Sequence, residues 1–159
     1  METLRMSHGI VWKTKNKHPQ PTNDNRPMTN HLPDRYLAAV RLFNDEEFFE
    51  CHDVLEELWT ETMSEERRFY QGLIQAAVAL FHFGNGNLGG ARKLYHSSSA
   101  YLKPYRLRYM GLDVAAFLDD FKDCFQELLD AGETYPANVV LRDERIPRID
   151  LTSDVPDES

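Results

Sequence analysis

Apolar residues return at intervals of three and four in five successive stretches of this 159-residue chain. That is the spacing of one buried face on an α-helix. Tyr36, Leu37, Val40 and Phe43 predict a first short helix with Asp34 as its N-cap. Asn44, followed three residues later by Glu47, has the form of a capping box, so a second helix is expected from there to about Met63. Ser64, with Glu65 and Glu66 behind it, gives the same start to a third helix ending near Gly84. Phe69, Leu73, Ala76, Ala77, Leu80 and Phe83 cover one side of this third helix, while Tyr70, Ile74, Val78 and Phe81 cover much of the rest. A helix apolar nearly all round belongs at the centre of a bundle. Asn87 is placed to cap a fourth helix that Pro104 stops, and Asp113 to start a fifth that carries Val114, Phe117, Phe121, Phe125 and Leu128 and stops at Gly132. The predicted fold is all-α: a compact bundle of about five helices around a central apolar helix at about 64–84, with irregular N- and C-terminal tails.

Residues 1–31 are rich in Asn, Pro, Thr and Lys and show no apolar period, which predicts a disordered or extended N-terminal tail. The helical domain is expected over 32–132 and an extended acidic tail over 133–159, where Pro147 argues against a central strand.

Two of the apolar stripes contain polar residues. In the second helix Phe48, His52, Leu55 and Trp59 fall close to one line, with Glu56 and Phe49 beside it, whereas Glu50, Asp53 and Glu57 take the opposite face. In the third, Gln71, Gln75 and His82 align within about 40° of one another. Buried polar groups need partners, so the two stripes either satisfy each other or border a site.

Composition narrows the classes. With 42% hydrophobic residues the chain can bury one domain-sized core. No run reaches the roughly 18 apolar residues of a membrane span, Leu73 to Phe83 being interrupted by Gln75 and His82. The N-terminus lacks the apolar core of a secretory signal, so a cytoplasmic protein without a membrane partner is expected. Two widely spaced cysteines, Cys51 and Cys124, read as reduced structural thiols.

The net charge of −8 disfavours general nucleic-acid binding, yet no Asp or Glu lies between Asn87 and Leu112. Arg92, Lys93, Lys103, Arg106 and Arg108 stand in that island among Tyr95, Tyr101, Tyr105 and Tyr109, a mixture suited to phosphate contacts and base stacking. The preferred reading is internal, with Arg92 and Lys93 answering the acidic row Glu50, Asp53 and Glu57 and the tyrosines packing on the fifth helix.

The run Phe48-Phe49-Glu50-Cys51-His52-Asp53-Val54-Leu55-Glu56-Glu57-Leu58-Trp59, then Gln71-Gly72-Leu73-Ile74-Gln75 and Gly86-Asn87-Leu88-Gly89-Gly90-Ala91, resembles the DUF 309 family of small helical proteins. The resemblance covers roughly residues 34–120. It implies an all-helical fold built around a central helix pair and brings no established activity with it. Motif positions carried over are Glu50, His52, Glu56, Trp59, Gln71, Gly72, Gln75, Asn87 and Gly90, while the family's usual His-Glu is replaced here by His52-Asp53.

Glu50, His52, Glu56, Trp59, Gln71, Gln75 and His82 thus form the candidate pocket or network. The simplest reading is a hydrogen-bonded core network in which neutral His52 bonds Glu56 or a glutamine. His52 and Glu56, one turn apart, can also reach a single divalent metal ion, for which a stable site wants three or four protein ligands. A third reading makes His52 a general base oriented by Glu56 in an open pocket. No phosphate-cradling glycine loop, His-Glu-x-x-His or Gly-x-Ser-x-Gly pattern occurs, so no catalytic residue is assigned.

The functional expectation is a small cytoplasmic binding or interaction domain. Its alternatives are a metal-dependent or hydrolase-like enzyme centred on His52 and Glu56, and anion or nucleic-acid binding through 92–108. Close-packing glycines and segregated charge leave a homodimer open. No cofactor beyond a divalent metal, and no particular small-molecule ligand, is implied.

Overall fold

The computed structural model describes residues 32–152, so the expected N-terminal tail and the last seven residues lie outside the described residues. Five α-helices follow in chain order: α1 (Asp34–Asn44), α2 (Phe48–Glu61), α3 (Glu66–Gly84), α4 (Leu88–Leu102) and α5 (Val114–Asp130). The expected all-α bundle is what forms. It carries one small addition that apolar periodicity did not announce, an antiparallel hairpin of β1 (Arg108–Tyr109) and β2 (Leu112–Asp113). The hairpin turns on Met110 and Gly111, at φ 49° and 80°, the paired left-handed conformation that matches the twist of two short strands. Met110 is an unusual residue for that geometry, which is why the turn gave no signal.

Helix starts show where local rules were overridden. Asn87 Oδ1 accepts from the Gly90 amide at 3.1 Å and Asp113 Oδ1 from the Ala116 amide at 3.1 Å, so both act as the expected caps. Asp34 instead lies inside the first turn, behind Pro33. Asn44 is the last residue of α1, which closes through a left-handed Glu46 at φ 65°. Its amide clamps the distant Ile149 backbone, donating to the carbonyl at 2.9 Å and accepting from the N–H at 2.8 Å. The Ser64 hydroxyl bonds the Glu66 carboxylate rather than a backbone amide, and α3 begins at Glu66.

Helix α3 is buried along most of its length and packs most extensively on α4, then on α2, while α1 covers α2. Helix α5 closes the core with aromatic rings, Phe125 lying 4.9 Å from Phe83 and stacking on Tyr95 at 5.0 Å. Residues 133–152 run irregularly but are strapped down: Val139 and Ile149 are buried, and the Thr152 amide donates to the Gly111 carbonyl at 2.9 Å.

The α3–α4 contact is closest at Gly72. A Cβ there would meet the Leu102 side chain at 2.6 Å, and the buried Ser98 hydroxyl donates to the Gly72 carbonyl at 2.7 Å. Gly72→Ala is therefore expected to lower the unfolding free energy by about 1–3 kcal/mol through overpacking. Loss of the hydroxyl in Ser98→Ala removes about 1 kcal/mol. Urea denaturation checks both, and a Gly72→Ala protein as stable as the parent would contradict the close approach.

Candidate functional site

The seam between α2 and α3 holds most of the candidate residues, and two tie points fix its register. At one end the Arg67 guanidinium sits 3.9 Å over the Trp59 ring, with Arg67 Nε donating to the Trp59 carbonyl at 3.3 Å. At the other, the Phe49 and Phe81 rings are 5.6 Å apart. The helices are therefore antiparallel, each step back along α2 matching a step forward along α3. His52 falls level with Gln75, and Glu56 with Gln71.

His52 is 1% exposed, its ring meeting that of Phe49 edge to face at 4.8 Å. A ligand atom from each of His52, Asp53 and Glu56 lies within 4.8 Å of the other two. Asp53 and Glu56 are half-buried, so the group sits at the rim of the core with the imidazole innermost. Burial, and then the neighbouring Asp53 and Glu57 carboxylates, push the Glu56 carboxyl up to about 7.

Gln75 is also 1% exposed, and neither of its amide atoms has a hydrogen-bond partner among the described residues. The expected network between the two stripes thus does not close at this residue. An orphaned buried amide of this kind costs about 1–3 kcal/mol, which a purely structural core would be expected to avoid. Gln71 is buried beside it in sequence, one turn away.

The remaining candidates have other duties. His82 Nδ1 lies 3.3 Å from Asn87 Nδ2. Because the Asn87 oxygen already accepts from Gly90, the nitrogen must donate and His82 Nδ1 must accept. His82 thereby supports the α4 cap, and burial holds its pKa below the ordinary value. Trp59 is buried under Arg67, and Glu50 is exposed on the far side of α2.

Asp53, expected on the wet face, instead joins the His52 and Glu56 donor atoms. The signal was available: Asp53 is about 100° from His52 and about 60° from Glu56 on the helical wheel, so all three share one flank.

The basic island is divided by the fold. Arg92 and Lys93 stand in the second turn of α4, whereas Lys103, Arg106 and Arg108 lie beyond its end, about 15 Å further along. Glu57 is answered by Arg35, at 3.9 Å, instead of by Arg92 or Lys93. Tyr95 packs on α5 as expected, but Tyr105 and Tyr109 rest on Phe69 of α3 at 5.4 and 4.9 Å. Arg108 and Arg68 line a cleft with Pro104, Tyr105, Leu107 and Tyr109 that Glu65 also enters. Burial, and then Glu66 and Glu65, push the Tyr109 phenol up to about 12, so acidic groups contribute to the local field there.

Residues 36–94, which include the whole α2–α3 seam, match the family described as Domain of unknown function (DUF309). The chain is 30% identical over 114 residues to the "Uncharacterized protein YpuF" of Bacillus subtilis (strain 168), a match covering 70% of this chain and 64% of that protein. It is 44% identical over 50 residues to an "Uncharacterized protein" of Aquifex aeolicus (strain VF5), covering 31% of this chain and 15% of the relative. The chain therefore spans less than two thirds of the length of either relative.

The crowded Glu56 carboxyl has a consequence for stability. Its pKa rises from an ordinary 4.5 to about 7 in the fold. The stability associated with its protonated form is therefore fully present below 4.5 and is lost as the pH rises through about 7. Because the group is half-exposed, solvent screening reduces the penalty at alkaline pH to about 1 kcal/mol. Glu56→Gln is expected to raise the metal-free melting temperature by about 2–6 °C at pH 8 and to lose that advantage near pH 4.5. Calorimetry across this range checks it; no gain at pH 8 contradicts it.

Proposed function

We propose that this protein is a divalent-cation-binding helical domain, with the ion held at the α2–α3 seam by His52, Asp53 and Glu56. The observation that carries the reading is the convergence of three donor atoms within 4.8 Å on one flank of one helix. One imidazole and two carboxylates make a mixed nitrogen and oxygen set suited to first-row divalent metals. Two carboxylates brought together at the edge of a core repel each other, and a cation at their midpoint converts that repulsion into attraction. Asp53 reaches the group despite being one methylene shorter than the glutamate usual in the family.

Three protein ligands leave positions open on the ion, as in exchangeable rather than fully closed sites. The described clefts lie elsewhere, around Asp120 and Arg145, around Tyr105 and Arg108, and around Phe83 and Val139. A cytoplasmic setting suits both free, buried cysteines, and burial pushes the Cys124 thiol up to about 12. None of the described helices is long and apolar enough to cross a membrane.

The test is metal titration of untagged, chelator-treated full-length protein followed by thermal unfolding. Saturation at about 100 times Kd adds about 2.7 kcal/mol to the fold, and elemental analysis should return one equivalent of metal. His52→Ala and the pair Asp53→Asn with Glu56→Gln are expected to remain folded and to lose the shift. The absence of both bound metal and a thermal shift with manganese(II) or zinc would overturn the reading.

A further inference from the structure

We infer that Gln75 is a fourth ligand of the seam, an amide oxygen that tilts the site toward the harder divalent ions, manganese(II) or iron(II), relative to zinc. The inference rests on the cation site proposed above and assigns it a chemical preference.

Gln75 stands level with His52 in the antiparallel register set by Arg67 on Trp59 and Phe49 on Phe81. Its rotation about α3 also fits. Arg67 and Phe81 mark the side of α3 that meets α2, and Gln75 is turned about 80° from Arg67 and about 120° from Phe81, both in the same sense. Asp53 and Glu56 are turned in the same sense from His52 on α2. For two antiparallel helices facing each other, equal senses of rotation lead to the same side of the seam. Gln75 therefore occupies the flank on which the three donor atoms converge.

The second observation is independent of that geometry. Gln75 is almost completely buried and both of its amide atoms are without hydrogen-bond partners among the described residues. A buried amide with no hydrogen-bond partner among the described residues, on the flank of a carboxylate and imidazole cluster, is free to offer its oxygen to a cation. Amide carbonyls are ligands for hard cations. With Gln75 the donor set becomes one nitrogen and three oxygens, which favours six-coordinate manganese(II) or iron(II) completed by water. Zinc is less dependent on a neutral amide oxygen, since a water can take that place in a four-coordinate shell.

Titration of the full chain with manganese(II) chloride and with zinc chloride tests the assignment in Gln75→Leu and Gln75→Glu variants. Gln75→Leu removes the oxygen while keeping the volume close, so the metal-free protein should melt at or above the parent temperature. Its manganese(II) affinity is expected to fall about tenfold and its zinc affinity less than about threefold. Gln75→Glu keeps an oxygen and should bind manganese(II) at least as tightly as the parent. If the parent binds neither metal, the cation site itself fails. If the parent binds and Gln75→Leu matches it, Gln75 is not a ligand; if Gln75→Leu loses both metals equally, the preference for the harder ions is overturned. Weak manganese(II) binding by Gln75→Glu would also overturn the assignment.

Discussion

The antiparallel contact between α2 and α3 governs the rest of the molecule, because α3 is a helix with almost no solvent side. Every polar residue it carries must be matched by whatever lies opposite. Arg67 seated on Trp59 and Phe49 against Phe81 hold the two helices in one register. A shift of one turn would bring His52 level with an alanine or with Gln71. The register thus decides whether the polar residues of both helices meet, and the packing of α4 through Gly72 prevents α3 from sliding to another position.

The seam is where this fold is least comfortable. Glu56 is held where its charge is disfavoured, and Gln75 is buried without a hydrogen-bond partner among the described residues. Several buried or half-buried polar groups elsewhere in the fold are paired. Ser98 bonds the Gly72 carbonyl, Tyr36 donates to the Met110 carbonyl at 3.0 Å, and Asn44 pairs both its amide atoms with Ile149. Trp59 Nε1, Arg92 Nε and Ser99 Oγ are also buried without hydrogen-bond partners among the described residues, so what distinguishes the seam is that the orphaned Gln75 amide coincides with a disfavoured carboxylate and a cluster of donor atoms.

The five helices were legible because core burial writes a period of three and four into the chain, and α3 was legible as central because it lacks a polar face. Asn87 and Asp113 were legible as caps because nothing distant competes for them. Asn44 and Ser64 were misread because their side chains serve other partners, in Asn44's case a strand of chain 105 residues away, and no local rule sees that far. His52, Glu56 and Gln75 could be picked out as polar residues in apolar stripes. Asp53 was less legible because its neighbours in sequence suggested a solvated acidic row, although its wheel position puts it on the flank of His52 and Glu56. The hairpin at 108–113 and the packing of Val139 and Ile149 depend on tertiary contacts that leave little local signature.

The most direct measurement of the central claim is nuclear magnetic resonance of the isotopically labelled full chain with substoichiometric manganese(II). Paramagnetic broadening should be strongest at the backbone amides of His52, Asp53 and Glu56 and at the Gln75 side-chain amide, with the far face of α5 spared. Broadening centred on another part of the chain, or none at all, would contradict a cation site in the α2–α3 seam.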